Sequence, residues 1–244
     1  MSPHALHSYT DDLALVQRLH DRRGRKVIFL SHCLLNENTR YPGGACHAGC
    51  VPEVVQQCLK SNLGIVQLPC PEELVWGGVL KHWLLFAFGL KDRHPFLYRL
   101  RHLLVPLVLL DTRFRYRLLA RAAARQVADY VRSGYTVAGV VGVDGSPSCG
   151  VTTTLSTGNL DDLLSLGRNA ITVARLNGWV RQHAKPGSGT FVQALRKSIR
   201  RRDLTIPFLA HDLLAELDGR PTRLDLVARS EGEGQNPTSD AALT

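Results

Sequence analysis

The 244-residue chain contains no run of about 20 apolar residues, so no segment reads as a membrane-spanning helix. Its two most apolar stretches, His82 to Leu90 and Leu103 to Leu110, are short, and Lys91-Asp-Arg-His-Pro95 divides them. Six cysteines are too few for a disulfide scaffold in a chain this long. Structural zinc is also poorly served: Cys46 and Cys50 form one Cys-x3-Cys pair around His47, with no second pair to complete it. A secretory leader is not expected, because Leu13-Ala-Leu-Val is short for an apolar core and follows Asp11 and Asp12. These absences place the expected setting in the cytoplasm, where thiols stay reduced and open to metal. No internal repeat breaks the chain into units.

Charge of one sign is abundant. Thirty Lys and Arg against 21 Asp and Glu give a formal charge of +9. Arg113, Arg117, Arg121 and Arg125 recur every four residues and would line one helix face. A second basic cluster runs from Arg196 to Arg202. Such stripes are compatible with a solvated surface, an acidic small substrate, nucleic acid or an anionic membrane.

Apolar runs and helical periodicities alternate along the chain. Strands are expected at Lys26–Ser31, Ile65–Leu68, Ala138–Val143 and 204–210. Helices are expected at 10–22 with Thr10 as N-cap, at Pro52–Ser61 after Pro52, at 114–132 before Ser133-Gly134, and at 190–202 after Gly187-Ser-Gly189. This order predicts an α/β fold: a Rossmann-like, mostly parallel sheet with flanking helices. Residues 1–25 read as a helical extension, 26–228 as one domain, and 229–244 as a disordered tail without core-forming residues. The stretch 79–110 breaks the rhythm and reads as a helical insertion packing over the sheet edge. Its Trp83, Phe86, Phe96 and Tyr98, mixed with Lys81, Arg93, Arg99 and Arg101, also suit peripheral contact with a membrane through 79–125.

Three cysteines stand apart from the rest. Cys33, Cys70 and Cys149 each close an apolar run and enter a turn rich in small residues or proline: Ser31-His-Cys, Pro69-Cys-Pro-Glu and Gly145-Ser-Pro-Ser-Cys-Gly. In an open parallel sheet the carboxyl ends of the strands share one edge, where ligands bind. Three thiols on that edge point to a metal or iron–sulfur site. Their spacings of 37 and 79 residues exclude a local ferredoxin-type run. Cys58 lies on the apolar side of its helix and reads as a small core residue.

Ser31-His-Cys-Leu-Leu-Asn36, Arg40-Tyr-Pro-Gly-Gly44, Pro69-Cys-Pro-Glu72 and Gly145-Ser-Pro-Ser-Cys-Gly150, in that order, resemble the 2-thiouracil desulfurase family and its longer desulfidase relatives. The resemblance spans about residues 26–155. It implies a [4Fe–4S] cluster held by Cys33, Cys70 and Cys149, with one iron not ligated by protein. It implies also a non-redox desulfidase that takes sulfur from a thiolated heterocycle such as a thiouracil-like thiocarbonyl. Glu72 is then the base or proton shuttle, and Ser146 positions substrate or water. Arg40, Tyr41 and Ser148 would contact the substrate. The chain departs from the shorter family pattern at Pro42, in lacking a second cysteine near Cys33, and in the 79–110 insertion; each alters the pocket. Two other roles use the same features: a non-catalytic iron–sulfur protein for sulfur transfer or sensing, and a protein binding nucleic acid or an anionic surface through the arginine stripe. The sequence shows no aromatic-basic RNA-binding motif that would favour nucleic acid.

Overall fold

A computed structural model describes residues 9–19, 21–155, 160–222 and 224. The elements in chain order are α1 (Tyr9–Arg18), β1 (Lys26–Leu30), α2 (His32–Leu35), α3 (Pro52–Lys60), β2 (Gly64–Gln67), α4 (Pro71–Val75), α5 (His82–Ala87), α6 (Leu90–Arg93), α7 (Pro95–Arg99) and α8 (Arg101–Arg132). There follow β3 (Thr136–Asp144), β4 (Thr153–Leu155), α9 (Leu160–Ser165), α10 (Val173–His183), β5 (Ala184–Pro186), α11 (Thr190–Arg200), β6 (Phe208–Asp212) and α12 (Leu213–Leu217).

Four strands form one parallel sheet in the order β2-β1-β3-β6. The chain moves outward from β1 to β2, then crosses back to place β3 on the other side of β1. The ends of β1 and β3 therefore flank a topological switch point, where an α/β sheet opens a crevice. The fold is the expected Rossmann-like α/β architecture, with β4 and β5 added as a small antiparallel pair.

Side-chain alternation in β1 explains the layering. Val27 and Phe29 enter a core with Tyr116, Ala120, Val127, Phe191 and Leu195 of α8 and α11. Ile28 and Leu30 enter the opposite core with Leu34, Val54 and Leu213. A strand covered on both faces needs apolar residues at every position, which is why Val-Ile-Phe-Leu is continuous rather than alternating. Cys58 is wholly buried in the second core, as expected of a small apolar residue.

Several elements depart from expectation. The run Leu103–Leu110 is not a separate insert helix; it is the beginning of α8, which carries Pro106 inside it. A proline removes one backbone donor, and no glycine or cap follows it before Ser133, so the helix runs on. Its end at Ser133-Gly134 is as expected, with Gly134 at φ +77°. The last strand lies at Phe208–Asp212, later than its apolar run begins. Helix α1 spans Tyr9–Arg18, so Thr10 lies within it rather than capping it. The tail at 229–244 lies outside the described residues. Among those described, no helix is long and apolar enough to cross a membrane.

Candidate functional site

Each of the three strands that carry a cysteine hands its chain to a turn that fixes the thiol. At the end of β1, the buried Ser31 hydroxyl donates to the Val141 carbonyl at 2.9 Å and its N–H to the same oxygen at 3.0 Å. This ties the Ser31-His-Cys33 turn to β3. After β2, Cys70 is the N-cap of α4, and its Sγ accepts from the Glu73 N–H at 3.4 Å. Pro71 at the first helical position suits that cap.

The Cys149 loop is the most constrained. Gly145 at φ +80° starts it, and Asp144 closes it by accepting from the N–H groups of Val151 and Thr152 at 2.8 and 2.9 Å and from the Thr152 hydroxyl. Ser146 Oγ accepts from the Cys149 N–H at 3.0 Å, a turn role beside any chemical one. The loop folds back so closely that a Cβ on Gly142 would meet the Cys149 carbonyl oxygen at 2.2 Å. On its other side, the N–H groups of Phe191 and Val192 in α11 donate to the Ser148 carbonyl. The Gly187-Ser-Gly189 approach to α11 thus lets that helix buttress the cysteine loop.

Cys33, Cys70, Cys149, Glu72, Ser146, Ser148, Arg40 and Tyr41 line one cavity of about 150 Å³ at the carboxyl edge of the sheet. The fold brings together the eight residues that the resemblance implies for the site. Six of the eight come from turns after β1, β2 and β3, and Arg40 and Tyr41 from the loop leading to α3.

The polar side of the cavity is a connected network. Ser148 Oγ donates to Glu72 Oε1 at 2.7 Å, Ser146 Oγ lies 3.4 Å from the same oxygen, and the two hydroxyls are 3.1 Å apart. Lys81 Nζ lies 2.8 Å from Glu72 Oε2, and the Lys81 side chain is only 3% exposed. Burial pushes the Glu72 carboxyl up, but the Lys81 ammonium and the two serine hydroxyls outweigh it and hold the group below its ordinary value. Glu72 is therefore an anion over the neutral range.

Burial acts in the other direction on the sulfurs. It raises Cys33, pushes Cys70 up to about 12 with help from Glu72, and raises Cys149 well above its ordinary value, where Cys33 and Cys70 add mutual repulsion. Two buried thiols and the half-buried Cys33, which repel one another as thiolates, form a donor set that a cationic group would relieve, with proton release on binding. Among the described residues, the ligand atoms close enough together to hold a single ion belong to Glu37, His47 and Glu216, not to the three cysteines. Before iron is loaded, exposed Cys46 is expected to react with iodoacetamide at pH 8 at least about tenfold faster than Cys33, Cys70 or Cys149. Time-resolved peptide mapping by mass spectrometry measures this.

Arg40 is buried against two carboxylates. Its Nη1 lies 2.9 Å from Glu216 Oε2 and 3.3 Å from Glu37 Oε2, and it also donates to the Gly44 carbonyl. His211 Nε2 completes the group at 2.8 Å from Glu216, and His47 Nδ1 lies 2.7 Å from Glu37. The guanidinium already pairs with both carboxylates of the Glu37–His47–Glu216 group, so a metal cation there would be repelled. Only Nε of Arg40 lacks a hydrogen-bond partner. Tyr41 donates its hydroxyl to Asn177 Oδ1 at 2.7 Å. His32 pairs with Gln67 at 2.7 Å, so it is held by its neighbours.

Sequence reasoning missed three features. Lys81 belongs to the 79–110 stretch and had been counted among its surface charges; its left-handed backbone, φ 52°, turns it inward. Tyr116 carries a buried hydroxyl without a partner, close enough to Glu72, Cys149 and Cys70 to feel their charges. The third is an apolar wall that includes Trp76, Leu84, Phe88, Leu109, Leu176 and Trp179. Tyr116 shares a four-residue spacing with Thr112, Ala120 and Ala124 in an Arg-rich helix, and that row of uncharged residues was the available signal for it.

No family model matches the chain, and no solved structure matches it. One curated relative, an uncharacterized protein of Methanocaldococcus jannaschii, is 42% identical over 55 residues. The match covers 22% of this chain and 35% of that protein, so the chain spans about a third of the relative's length.

Proposed function

We propose that the protein is a cytoplasmic desulfidase that hydrolyses a carbon–sulfur double bond in a thiolated heterocycle or similar thiocarbonyl, using a [4Fe–4S] cluster on Cys33, Cys70 and Cys149. The observation that carries this reading is the convergence of the three thiols with the Glu72–Ser148–Ser146 network on one cavity. A cluster with one iron free of protein ligands supplies a Lewis acid for a soft sulfur atom.

The chain's own groups account for the rest. Glu72, held anionic by Lys81, accepts a proton from water as its oxygen bonds to the thiocarbonyl carbon. Ser148, 2.7 Å from the carboxylate, orients that water or passes its proton. The carbon–sulfur bond then breaks, oxygen replaces sulfur on the ring, and sulfur leaves as sulfide. No electrons are exchanged, so neither oxidant nor reductant is needed. The apolar wall with Trp76 and Trp179 favours a planar, poorly hydrated substrate and limits bulk water.

The test is iron and acid-labile sulfide per chain after anaerobic reconstitution. Wild type and Cys58→Ser are expected to hold about four of each, and Cys33→Ser, Cys70→Ser and Cys149→Ser markedly less. Wild type should also release sulfide from 2-thiouracil or a related thiolated base. A wild-type chain that binds no iron removes the basis of the reading.

A further inference from the structure

The helices over the cavity have two apolar sides, and among the described residues only one is covered. Leu84 of α5, Phe88 just after it and Leu109 of α8 turn inward to line the cavity. On the outer side of α8, Leu103, Leu107, Leu110, Phe114 and Leu118 recur at intervals of four, three, four and four residues, forming a single stripe. The first four are each more than half exposed, as are Trp83 of α5 and Phe96 of α7. Isolated exposed apolar residues need no explanation, but a stripe along four turns of one helix does.

The charge around the stripe identifies its occupant. Apart from Lys81, buried against Glu72, residues 79–125 contain nine Lys or Arg and two Asp. All of the nine except Arg101 are exposed. The sequence stripe of arginines continues the apolar one: Arg117, Arg121 and Arg125 follow it along the outward face, beside the row of buried Tyr116, Ala120 and Ala124. A second copy of this surface would bring like charges together, whereas anionic headgroups would neutralise them. The outer helices carry large apolar and aromatic side chains beside a basic rim, as do helices that lie in a membrane interface. Since no described helix can cross a bilayer, the contact would be peripheral.

We infer that the outer face of α5, α7 and the first half of α8 docks on an anionic phospholipid surface. This goes beyond the proposed desulfidase and holds whatever the cavity's substrate. The test is sedimentation of the full chain with phosphatidylglycerol/phosphatidylcholine vesicles against phosphatidylcholine alone. Partition at least about tenfold stronger to the anionic vesicles is expected, weakening as salt rises. The variant Leu107→Glu/Leu110→Glu/Phe114→Glu should lose it while keeping the wild-type melting curve. Should that variant misfold, Arg117→Glu/Arg121→Glu, changed only at exposed positions, should weaken partition about tenfold. Three results would overturn the inference: equal partition to neutral vesicles, binding unaffected by either variant, or a dimer abolished by the triple variant with no vesicle binding. Retention by single-stranded RNA without vesicle partition would overturn it as well.

Discussion

Glu72→Gln is expected to lower sulfide release by about 10²–10⁴ while leaving iron content unchanged. The amide keeps the shape of the carboxyl group and can still accept from Ser148, but it cannot take a proton from water. Lys81 then loses its buried partner, so Glu72→Gln/Lys81→Met is the proper companion; it should regain stability without regaining turnover. If iron loading and sulfide release both persist in Glu72→Gln, the carboxylate is not the base. If wild type holds iron but releases no sulfide from any thiolated base, a sulfur-transfer or sensing role takes precedence. The pH profile adds a second readout. Lys81 keeps the Glu72 carboxyl below its ordinary value, so wild-type kcat/KM should persist as pH falls through the usual carboxylate range. In Lys81→Met the acidic limb should move to higher pH, because burial is then opposed only by the two serine hydroxyls.

Arg40→Met should destabilise the protein by about 3–5 kcal/mol, the usual consequence of stranding buried charges. Glu37 and Glu216 both face the guanidinium and are almost fully buried, and its loss would leave the imidazoles of His47 and His211 as their charged partners only when protonated. Urea unfolding at pH 7 measures the loss. The dependence on acid gives the sign check. Burial pushes the Glu216 carboxyl up, but the His211 bond and the Arg40 charge overcome it and bring the group down to about 2. A carboxyl depressed in the folded state stabilises above its unfolded value, near 4.3, and that contribution is lost as pH falls from there toward 2. Wild type should therefore lose stability steeply across this window, and Arg40→Met should show a flatter curve. An unchanged slope would mean that Arg40 does not set the Glu216 charge.

Legibility from sequence followed how local the causes are. β1, β2 and β3 were visible because both faces of the sheet are covered, leaving continuous apolar runs, and the cysteine turns were visible because Pro and Gly punctuate them. β4 and β5 are three residues each and carry Thr and Lys, too short and polar to signal a strand. Pro106 does not break α8, because its ring acts locally, whereas the packing that holds the helix comes from β1 and α11. The site's thiols, carboxylate and serines were legible as motifs, yet Lys81 was not. Its role comes from a left-handed turn that reverses which way a lysine points, and nothing in its neighbours in sequence encodes the partner nine residues before it.

The order in which the thiols leave the ribosome follows from the switch point. β1 and β3 are adjacent at the centre of the sheet although Ser31 and Val141 are 110 residues apart. Cys33 and Cys70 are synthesised early, and 79 further residues must be added before Cys149 exists. At about 5–20 residues per second, that is an interval of about 4–16 s in which two thiols stand without the third. During that time they form an incomplete chelator, exposed to copper, zinc and oxidants. Under the proposed cluster assignment, loading is a post-translational event, with iron and sulfide supplied to the finished sheet rather than to the nascent chain.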